Sequence, residues 1–259
     1  MSPPFERILN IAEKNYISEP LIVGGIPRDM YLNIPANSDI DLTTNTSDCT
    51  RLGVSSAIDL NVSFKVFSDG HVSMYTPGVS IDFSGNFISK KAVSYYEGKN
   101  GVIPEDMKEV VSRDFTINTL HKSMLNNELM DKTGAALRDL DAKIIRSNTT
   151  PEISFEDDIR RVFRSINFAA RLGFEVDASI VDFVRKNTSM ISSEMGKALR
   201  DAFVTNIVSS SINANSDITI GLLVDMRIMH LIPLVGAYKD ELISRRMIAK
   251  YLDDASGLK

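Results

Sequence analysis

Apolar and polar residues alternate in short runs through the first half of the chain, a pattern that predicts β-strands mixed with helices. Six runs are typical of strands: EPLIVGG, DIDLTT, FKVF, HVSMYT, VSIDF and FTINTL. Because Pro77-Gly78 separates HVSMYT from VSIDF, we expect a β-hairpin there. Residues 87–108 contain Gly, Pro and Lys without a clean period, which indicates a mobile loop.

From about Thr133 onward, apolar residues recur every three or four positions, as they do in amphipathic helices. Within residues 154–174 this stripe consists of Ile159, Val162, Phe163, Ile166 and Phe168-Ala169. The change of period predicts an α/β head, a mixed β-sheet with helices, over residues 1–132. It predicts an all-α part over residues 133–259.

Composition narrows the class of protein only a little. Of the 259 residues 43% are hydrophobic, which is ordinary for one large or two modest globular domains. The single cysteine, Cys49, allows neither an internal disulfide nor a zinc-binding cysteine cluster. The chain has no apolar run of membrane-spanning length and no signal-peptide layout, so we expect a cytoplasmic protein without a membrane partner. The net charge of −5 argues against general coating of nucleic acid, although a local basic groove stays compatible with it.

Residues 21–45 join a strand-like run, two glycines, an Arg-Asp pair and two aspartates one position apart. On a strand Asp39 and Asp41 point to the same face, where their carboxylates repel unless a hard cation such as Mg²⁺ lies between them. A bare D-x-D pair is usually solvated surface, but here Gly24-Gly25 allow a sharp turn close to a ligand, and Arg28 adds a cation. The pattern predicts a metal-bound triphosphate and nucleotidyl transfer.

The motif GGIPRD…DIDLTT resembles the signature of the bacterial-type branch of the nucleotidyltransferase superfamily. That branch holds the class II CCA-adding tRNA nucleotidyltransferases and the bacterial poly(A) polymerases. Three later stretches resemble its motifs in the same order: SRDFTINTL, DKTGAALRDLDAKIIRS and FEDDIRRVFRSINFAARLGFEVD. The resemblance covers about residues 21–176, and more loosely residues 177–235. It implies a nucleotidyltransferase head followed by a helical neck and a body that is shortened at the C-terminus.

The resemblance also implies roles for particular residues. Asp39 and Asp41 would hold the catalytic metals, expected to be two Mg²⁺ ions. Asp82 would join them as a catalytic carboxylate if its strand has the right register; the alternative is an outward-facing side chain. The expected nucleotide-binding residues are Gly24, Gly25, Arg28, Arg113, Asp114, Asn118, Glu156, Asp157 and Arg160.

The last three of these residues would form a protein template that selects the base. An Asp acceptor and an Arg donor fork one helical turn apart, such as Asp157 and Arg160, can meet the Watson–Crick edge of cytosine or adenine. The alternative is an ion pair on a helix surface. Arg161, Arg164 and Arg171 would contact RNA phosphates, although a solvated helix face is the alternative for Arg164 and Arg171.

The implied activity is template-independent addition of C and A, from CTP and ATP, to the 3′ end of tRNA or another RNA. Alternatives within the same chemistry are a poly(A) polymerase and an enzyme that adds only A or only CC. Residues 87–108 and the template helix would decide between them. Family members usually carry further helical domains that grip tRNA. This shorter chain would need a second subunit, and thus a homo-oligomer, or would act on the acceptor arm alone or on another RNA end.

Some residues depart from the family pattern or stand outside it. Ser112 replaces the first arginine of the double-arginine motif, and Thr119 replaces its final alanine. The three histidines lack ligand spacing and are interpreted as packed or exposed imidazoles: His71, His121 and His230. A regulatory protein on a decayed head would have lost its carboxylates, which are present. Transfer to a small molecule such as an antibiotic would leave the template helix unexplained.

Overall fold

The chain was analysed as a computed structural model, which describes residues 4–35, 39–44, 48–85, 87–198 and 202–232. It divides into two compact units, Met1–Ala142 and Lys143–Lys259. We predicted a boundary after residue 132, and the structure places it after Ala142. The segment in between is tied to the head, because Thr116 Oγ1 donates to Asp139 Oδ2 at 2.7 Å.

Within the described part of the first unit, seven strands form one mixed sheet in the order β3-β4-β5-β2-β1-β6-β7. The strands are β1 (Leu21–Val23), β2 (Asp39–Thr43), β3 (Ser63–Val66), β4 (Val72–Thr76), β5 (Val79–Phe83), β6 (His121–Ser123) and β7 (Leu129–Met130). The helices are α1 (Phe5–Lys14), α2 (Gly25–Tyr31), α3 (Cys49–Leu60), α4 (Lys90–Asn100), α5 (Glu105–Ser112) and α6 (Ala136–Asp141). Strands β2 and β5 run parallel, whereas the other neighbouring pairs are antiparallel.

One face of this sheet forms the core of the head. Ile40 of β2 and Ile81 of β5 point into it, together with residues of α1 and α3. Helix α3 approaches the sheet closely at Gly53, where an added Cβ would lie 2.8 Å from the Cβ of Val72. Alternate residues of a strand point to opposite faces, so burial of these residues turns the polar residues between them to the other face.

Most of the predicted strands are confirmed, including the hairpin of β4 and β5 around Pro77-Gly78. The prediction for FTINTL is wrong: Thr116–Asn118 is a 3₁₀ helix, and the strand begins afterwards at His121. Asp114 accounts for the tight turn, because its Oδ1 accepts hydrogen bonds from the Phe115 backbone N–H and from Asn118 Nδ2.

The mobile loop predicted for residues 87–108 is also wrong, because this stretch holds α4 and the start of α5. Ser89 caps α4 by accepting a hydrogen bond from the Ala92 backbone N–H at 3.0 Å. Gly101, with φ 77°, ends the helix in a backbone conformation that suits glycine. The stretch therefore had capping signals although it lacked an apolar period.

The second unit is mainly helical in its described part. Its helices are α7 (Pro151–Asp157), α8 (Arg161–Leu172), α9 (Ala178–Lys186), α10 (Thr188–Ala198), α11 (Ala202–Ala214) and α12 (Ser216–Asp225). Two short parallel strands, β8 (Ile144–Ile145) and β9 (Glu175–Val176), accompany them. Helix α8 packs on α11, where Asn167 Nδ2 donates to Ser211 Oγ at 3.0 Å. In the described parts of both units, every helix is too short or too polar to cross a membrane.

Candidate active site

Three carboxylates lie together on the face of the head sheet opposite the core. Asp39 and Asp41 are two positions apart on β2, and the parallel register sets Ser80 beside Asp39 and Asp82 beside Asp41. Neighbouring residues in register point the same way, so Asp82 faces the same side as the β2 pair. Ser80 Oγ donates a hydrogen bond to Asp39 Oδ1 at 2.7 Å. Asp82 therefore points toward Asp39 and Asp41, which is the orientation that its predicted catalytic role requires.

The cluster is electrostatically strained at its centre. Burial raises the pKa of Asp41, and the neighbouring carboxylates of Asp82 and Asp39 raise it further. Arg113 and His71 act in the opposite direction, but the net shift is upward. A cation bound between the carboxylates would remove this repulsion, so the charge distribution fits a metal-binding function.

The carboxylate oxygens of the cluster suit Mg²⁺ better than metals that need a cage of protein ligands. In the described residues no group of three or more His, Cys, Asp or Glu side chains forms a metal cage. Mg²⁺ is usually held by one or two carboxylates together with water and substrate phosphates rather than by a cage of protein ligands. Asp39 and Asp41 are such a donor set.

The glycine turn after β1 borders the cluster directly. Gly24 has φ 74°, and an added Cβ would lie only 2.6 Å from Asp41 Oδ2. Any side chain here would therefore be strained and would collide with the carboxylate. Glycine at this position thus lets the backbone of the turn lie directly against the carboxylate of Asp41.

Residues of the GGIPRD motif and of the SRDFTINTL motif meet beneath this turn. Arg28 is only 3% exposed; its Nε donates to Asp29 Oδ1 at 2.8 Å, and its Nη1 donates to Asn118 Oδ1 at 2.7 Å. Asn118 Nδ2 in turn donates to Asp114 Oδ1 at 3.0 Å. The guanidinium lies under the glycine turn, since a Cβ on Gly25 would be 3.3 Å from Arg28 Nη2. The structure thus brings together four predicted site residues: Gly25, Arg28, Asp114 and Asn118.

Arg113 is held in place by a residue that the motifs had not indicated. Its Nη2 lies 2.5 Å from Glu109 Oε1, and the other carboxylate oxygen of Glu109 lies 3.6 Å from His121 Nε2. Burial alone raises the pKa of Glu109, but Arg113 and His121 outweigh it and lower that pKa to about 2. Glu109, Asp41 and Asp114 raise the pKa of Arg113 against the effect of its burial. Glu109 thus keeps a permanent cation beside the carboxylate cluster.

Ser112, which departs from the double-arginine motif, has a structural position here. Its Oγ donates to the Lys108 carbonyl at 2.6 Å and accepts the Ser89 backbone N–H at 2.9 Å. The hydroxyl therefore joins the start of α4 to the end of α5. The side chain is buried, with 2% exposure, so it does not reach the surface as a phosphate-binding group would.

His71 also lies at the cluster, although its isolated position in the sequence had not linked it to a site. Its Nε2 is 3.4 Å from Asp82 Oδ1 and 3.4 Å from Ser73 Oγ. The ring stacks on Phe67 with centroids 4.7 Å apart. The sequence signal was the two-residue turn at Pro77-Gly78, because it sets Ser73 opposite Asp82 and thereby directs His71 toward the same face.

The acid–arginine motif of the second unit differs from the expected helix. Helix α7 ends at Asp157, Asp158 is extended at φ −155° and ψ 102°, and α8 begins at Arg161. The prediction that Asp157 and Arg160 lie one turn apart on a single helix is therefore wrong. Asp158 explains the break: it accepts the Arg160 backbone N–H at 3.0 Å and Arg160 Nε at 2.8 Å. Glu156 is exposed near the end of α7.

The three arginines predicted to contact RNA do not share one exposed face. Arg161 is 7% exposed, and its Nη1 donates to Ser154 Oγ at 3.1 Å. Arg164 lies over the ring of Phe168, with its guanidinium carbon 5.3 Å from the centroid. Arg171 is exposed near the end of α8. Of the three, Arg171 has the surface position that a phosphate contact needs.

The mixed sheet, the carboxylate cluster and the glycine turn define a nucleotidyltransferase head. Comparison with known proteins gives the same class. Residues 21–146 match the family model described as the poly A polymerase head domain. Residues 21–146 therefore resemble a poly A polymerase head, and the resemblance of the chain to CCA-adding enzymes and poly(A) polymerases is confirmed.

Relatives share much of this chain but only part of their own length. A tRNA nucleotidyltransferase of Schizosaccharomyces pombe is 27% identical over 187 residues, 64% of this chain and 38% of that protein. A CCA-adding enzyme of Streptococcus pyogenes is 28% identical over 199 residues, 74% of this chain and 46% of that protein. This chain thus spans less than half the length of either curated relative.

A solved structure has the same fold. The Thermotoga maritima CCA-adding enzyme complexed with tRNA(CCA) matches with a TM-score of 0.64 at 20% identity. The match covers 89% of this chain and 53% of that one. It supports the fold of a nucleotidyltransferase head followed by a mainly helical part.

Proposed function

We propose that this chain catalyses template-independent, metal-dependent transfer of nucleotides from CTP and ATP to the 3′ end of tRNA, as CCA addition or repair. The observation that carries the proposal is the cluster of Asp39, Asp41 and Asp82 beside the Gly24 turn. The likeness to proteins described as CCA-adding enzymes supports the choice of substrates. The reaction would take place in the cytoplasm.

In the proposed reaction, the RNA 3′-hydroxyl attacks the α-phosphate; a new O–P bond forms and the bond to pyrophosphate breaks. Asp39 and Asp41 would hold Mg²⁺, which when bound polarises the α-phosphate and neutralises the leaving pyrophosphate. Asp82 would accept the hydroxyl proton. The backbone at Gly24-Gly25 and the guanidinium of Arg113 would bind the triphosphate.

The remaining head residues would shape the nucleotide site. Arg28 would act on the phosphates through the turn that it supports, since its guanidinium is engaged by Asp29 and Asn118. Asp114 would contact the incoming ribose, with Asn118 held against it. This network would fix the distance between the glycine turn and Arg113.

Selection of C or A would rest on the acid–arginine motif of the second unit. Glu156, Asp157 and Arg160 are the residues that the family resemblance assigns to this role. Asp158 joins these candidates because it holds the guanidinium of Arg160 through Nε and Nη2. The donor fork of Arg160 would exchange this carboxylate for the edge of a base.

RNA would be held partly by the second unit. Of the three arginines that the resemblance assigns to RNA, Arg171 would contact phosphates, whereas Arg161 and Arg164 would act only if their contacts with Ser154 and Phe168 were exchanged for RNA. A homo-oligomer would supply further grip on tRNA. Binding through phosphate contacts would weaken as salt rises, which gives a simple measure of their number.

The test is incorporation of labelled nucleotide into tRNAs that end before, within and after CCA, with CTP, ATP or both. The proposal predicts that C is added before A and that extension stops after CCA. Long A tails made without CTP would contradict CCA addition and would identify a poly(A) polymerase. Addition of A alone or of CC alone would identify a partial-specificity enzyme. Absence of incorporation into every tRNA would contradict nucleotidyl transfer to tRNA.

A further inference from the structure

The active face of the head sheet extends past the carboxylates onto the β3–β4 hairpin. The registers place Ser73 opposite Asp82 and Lys65 opposite Ser73, so one row of residues runs from Asp41 to Lys65. A second row runs from Asp39 through Ser80 to Tyr75. Residues in register share a face, so these side chains form a surface continuous with the cluster.

Four side chains give this part of the surface its character: Lys65, Phe67, His71 and Tyr75, which we call the hairpin platform. The Phe67 and His71 rings are stacked within 10° of parallel, and Lys65 Nζ lies 4.4 Å from the centroid of the Phe67 ring. Tyr75 is 47% exposed, and the His71 side chain is 28% exposed. Flat rings beside a cation are the groups that proteins use to stack bases and pair with phosphates of single-stranded RNA.

The reaction geometry indicates what this surface holds. In nucleotidyl transfer the attacking and leaving oxygens lie on opposite sides of the phosphorus. The Gly24 turn and Arg113 lie to one side of Asp41, where the pyrophosphate would leave. Asp82 lies beside Asp41 on the side of β5, and the platform follows it on β4 and β3. An in-line attack from the side opposite the Gly24 turn would bring the hydroxyl over β5, next to the platform.

We propose that the hairpin platform binds the last nucleotides of the RNA and directs their 3′-hydroxyl to Asp82. This inference rests on the proposed function, because it supposes that an RNA end is the acceptor. His71 would stack a base while it contacts Asp82, and Tyr75 would stack the adjacent one. Lys65 would pair with a phosphate.

The acidic groups nearby limit how the RNA lies. Asp69 is at the hairpin turn, where its Oδ1 accepts the His71 backbone N–H at 3.1 Å. Asp39 and Asp82 border the other side. Phosphates would therefore lie along Lys65, and uncharged base faces would lie over the rings.

The test measures the KM for tRNA lacking CCA and the KM for CTP in Tyr75→Ala and His71→Ala. Loss of one stacked base raises the KM for RNA by about tenfold or more, with the KM for CTP changed by less than about twofold. Tyr75→Phe keeps the ring and restores the wild-type value. Phe64→Ala is the matched control, because Phe64 is 40% exposed on the opposite face of the same hairpin. Thermal unfolding of each variant shows whether it is folded.

A second measurement does not depend on turnover. An RNA with a photoreactive base at its 3′ end should crosslink to a peptide that contains residues 63–76. A crosslink elsewhere, or a Tyr75→Ala variant with unchanged KM for RNA, would overturn the platform. A rise in the KM for CTP alone would also overturn it, since the platform would then hold the incoming nucleotide. A wild-type protein that extends no RNA would instead contradict the proposed function, and the crosslink would still report on the surface.

Discussion

Glu109→Gln tests how the cation beside the carboxylate cluster is held. The Glu109 side chain is 13% exposed, with Arg113 Nη2 at 2.5 Å and His121 Nε2 at 3.6 Å. The substitution keeps the size of the side chain but removes its charge. Arg113, whose side chain is 15% exposed, would then remain as a largely buried cation without its nearest carboxylate.

The pKa of Glu109 gives the magnitude. Its lowering from 4.5 to about 2 corresponds to roughly 3 kcal/mol of folding free energy, at about 1.4 kcal/mol per unit. Because the folded state has the lower pKa, this contribution is complete above pH 4.5 and disappears as the pH falls toward 2. We expect Glu109→Gln to lower the free energy of unfolding by about 3 kcal/mol at pH 7, and the difference from wild type to shrink below pH 4.5.

The assay is urea unfolding of the full chain, followed by circular dichroism at pH 7 and at several lower pH values. Glu105→Gln is the matched control on the same helix, since its side chain is 61% exposed and forms only a surface pair with Lys108. That control should stay within about 0.5 kcal/mol of wild type. A Glu109→Gln protein as stable as the control, or a difference that is the same at pH 3 and pH 7, would refute the reasoning.

Three further predictions concern the candidate functional residues and the metal. Gly24→Ala should lower nucleotide incorporation at least tenfold, because its Cβ would collide with a site carboxylate. Gly78→Ala, at φ 86° with open space around it, should show only the backbone effect, and equal activity loss in the two variants would count against a collision. Asp157→Ala and Asp158→Ala should change the ratio of C to A incorporation more than total turnover if these residues select the base; a constant ratio in both would exclude that role. Chelation of divalent metal should stop incorporation and added Mg²⁺ should restore it, whereas full activity in chelator would contradict a metal-dependent reaction.

The β2 carboxylates could be predicted from the sequence because a strand fixes side-chain direction at every second residue. The orientation of Asp82 required the register between β2 and β5, which pairs strands that are distant in the chain. The position of His71 could have been predicted from the sequence, since the Pro77-Gly78 turn sets β4 directly against β5 and His71 immediately precedes β4. The contact of Glu109 with Arg113 joins α5 to the loop after it, and the family motif alone did not indicate it.

Two wrong predictions have local causes. Residues 87–108 form helices without a strong apolar period, and their signals were the Ser89 cap and Gly101 rather than hydrophobic spacing. The helix through residues 154–174 was predicted from its apolar stripe, which continues across the break. Asp158 interrupts the helix because its side chain accepts a hydrogen bond from the Arg160 backbone N–H. The spacing of apolar residues does not indicate this side-chain bond.

The most direct test of the account is nucleotide incorporation by the double variant Asp39→Ala, Asp41→Ala. Wild type and variant would be given the same tRNA lacking CCA, with CTP, ATP and Mg²⁺, and thermal unfolding would confirm that the variant is folded. The account predicts that incorporation is abolished while the fold is kept, because removal of two mutually repelling carboxylates leaves the apolar core unchanged. Incorporation at the wild-type rate by the folded double variant would contradict it.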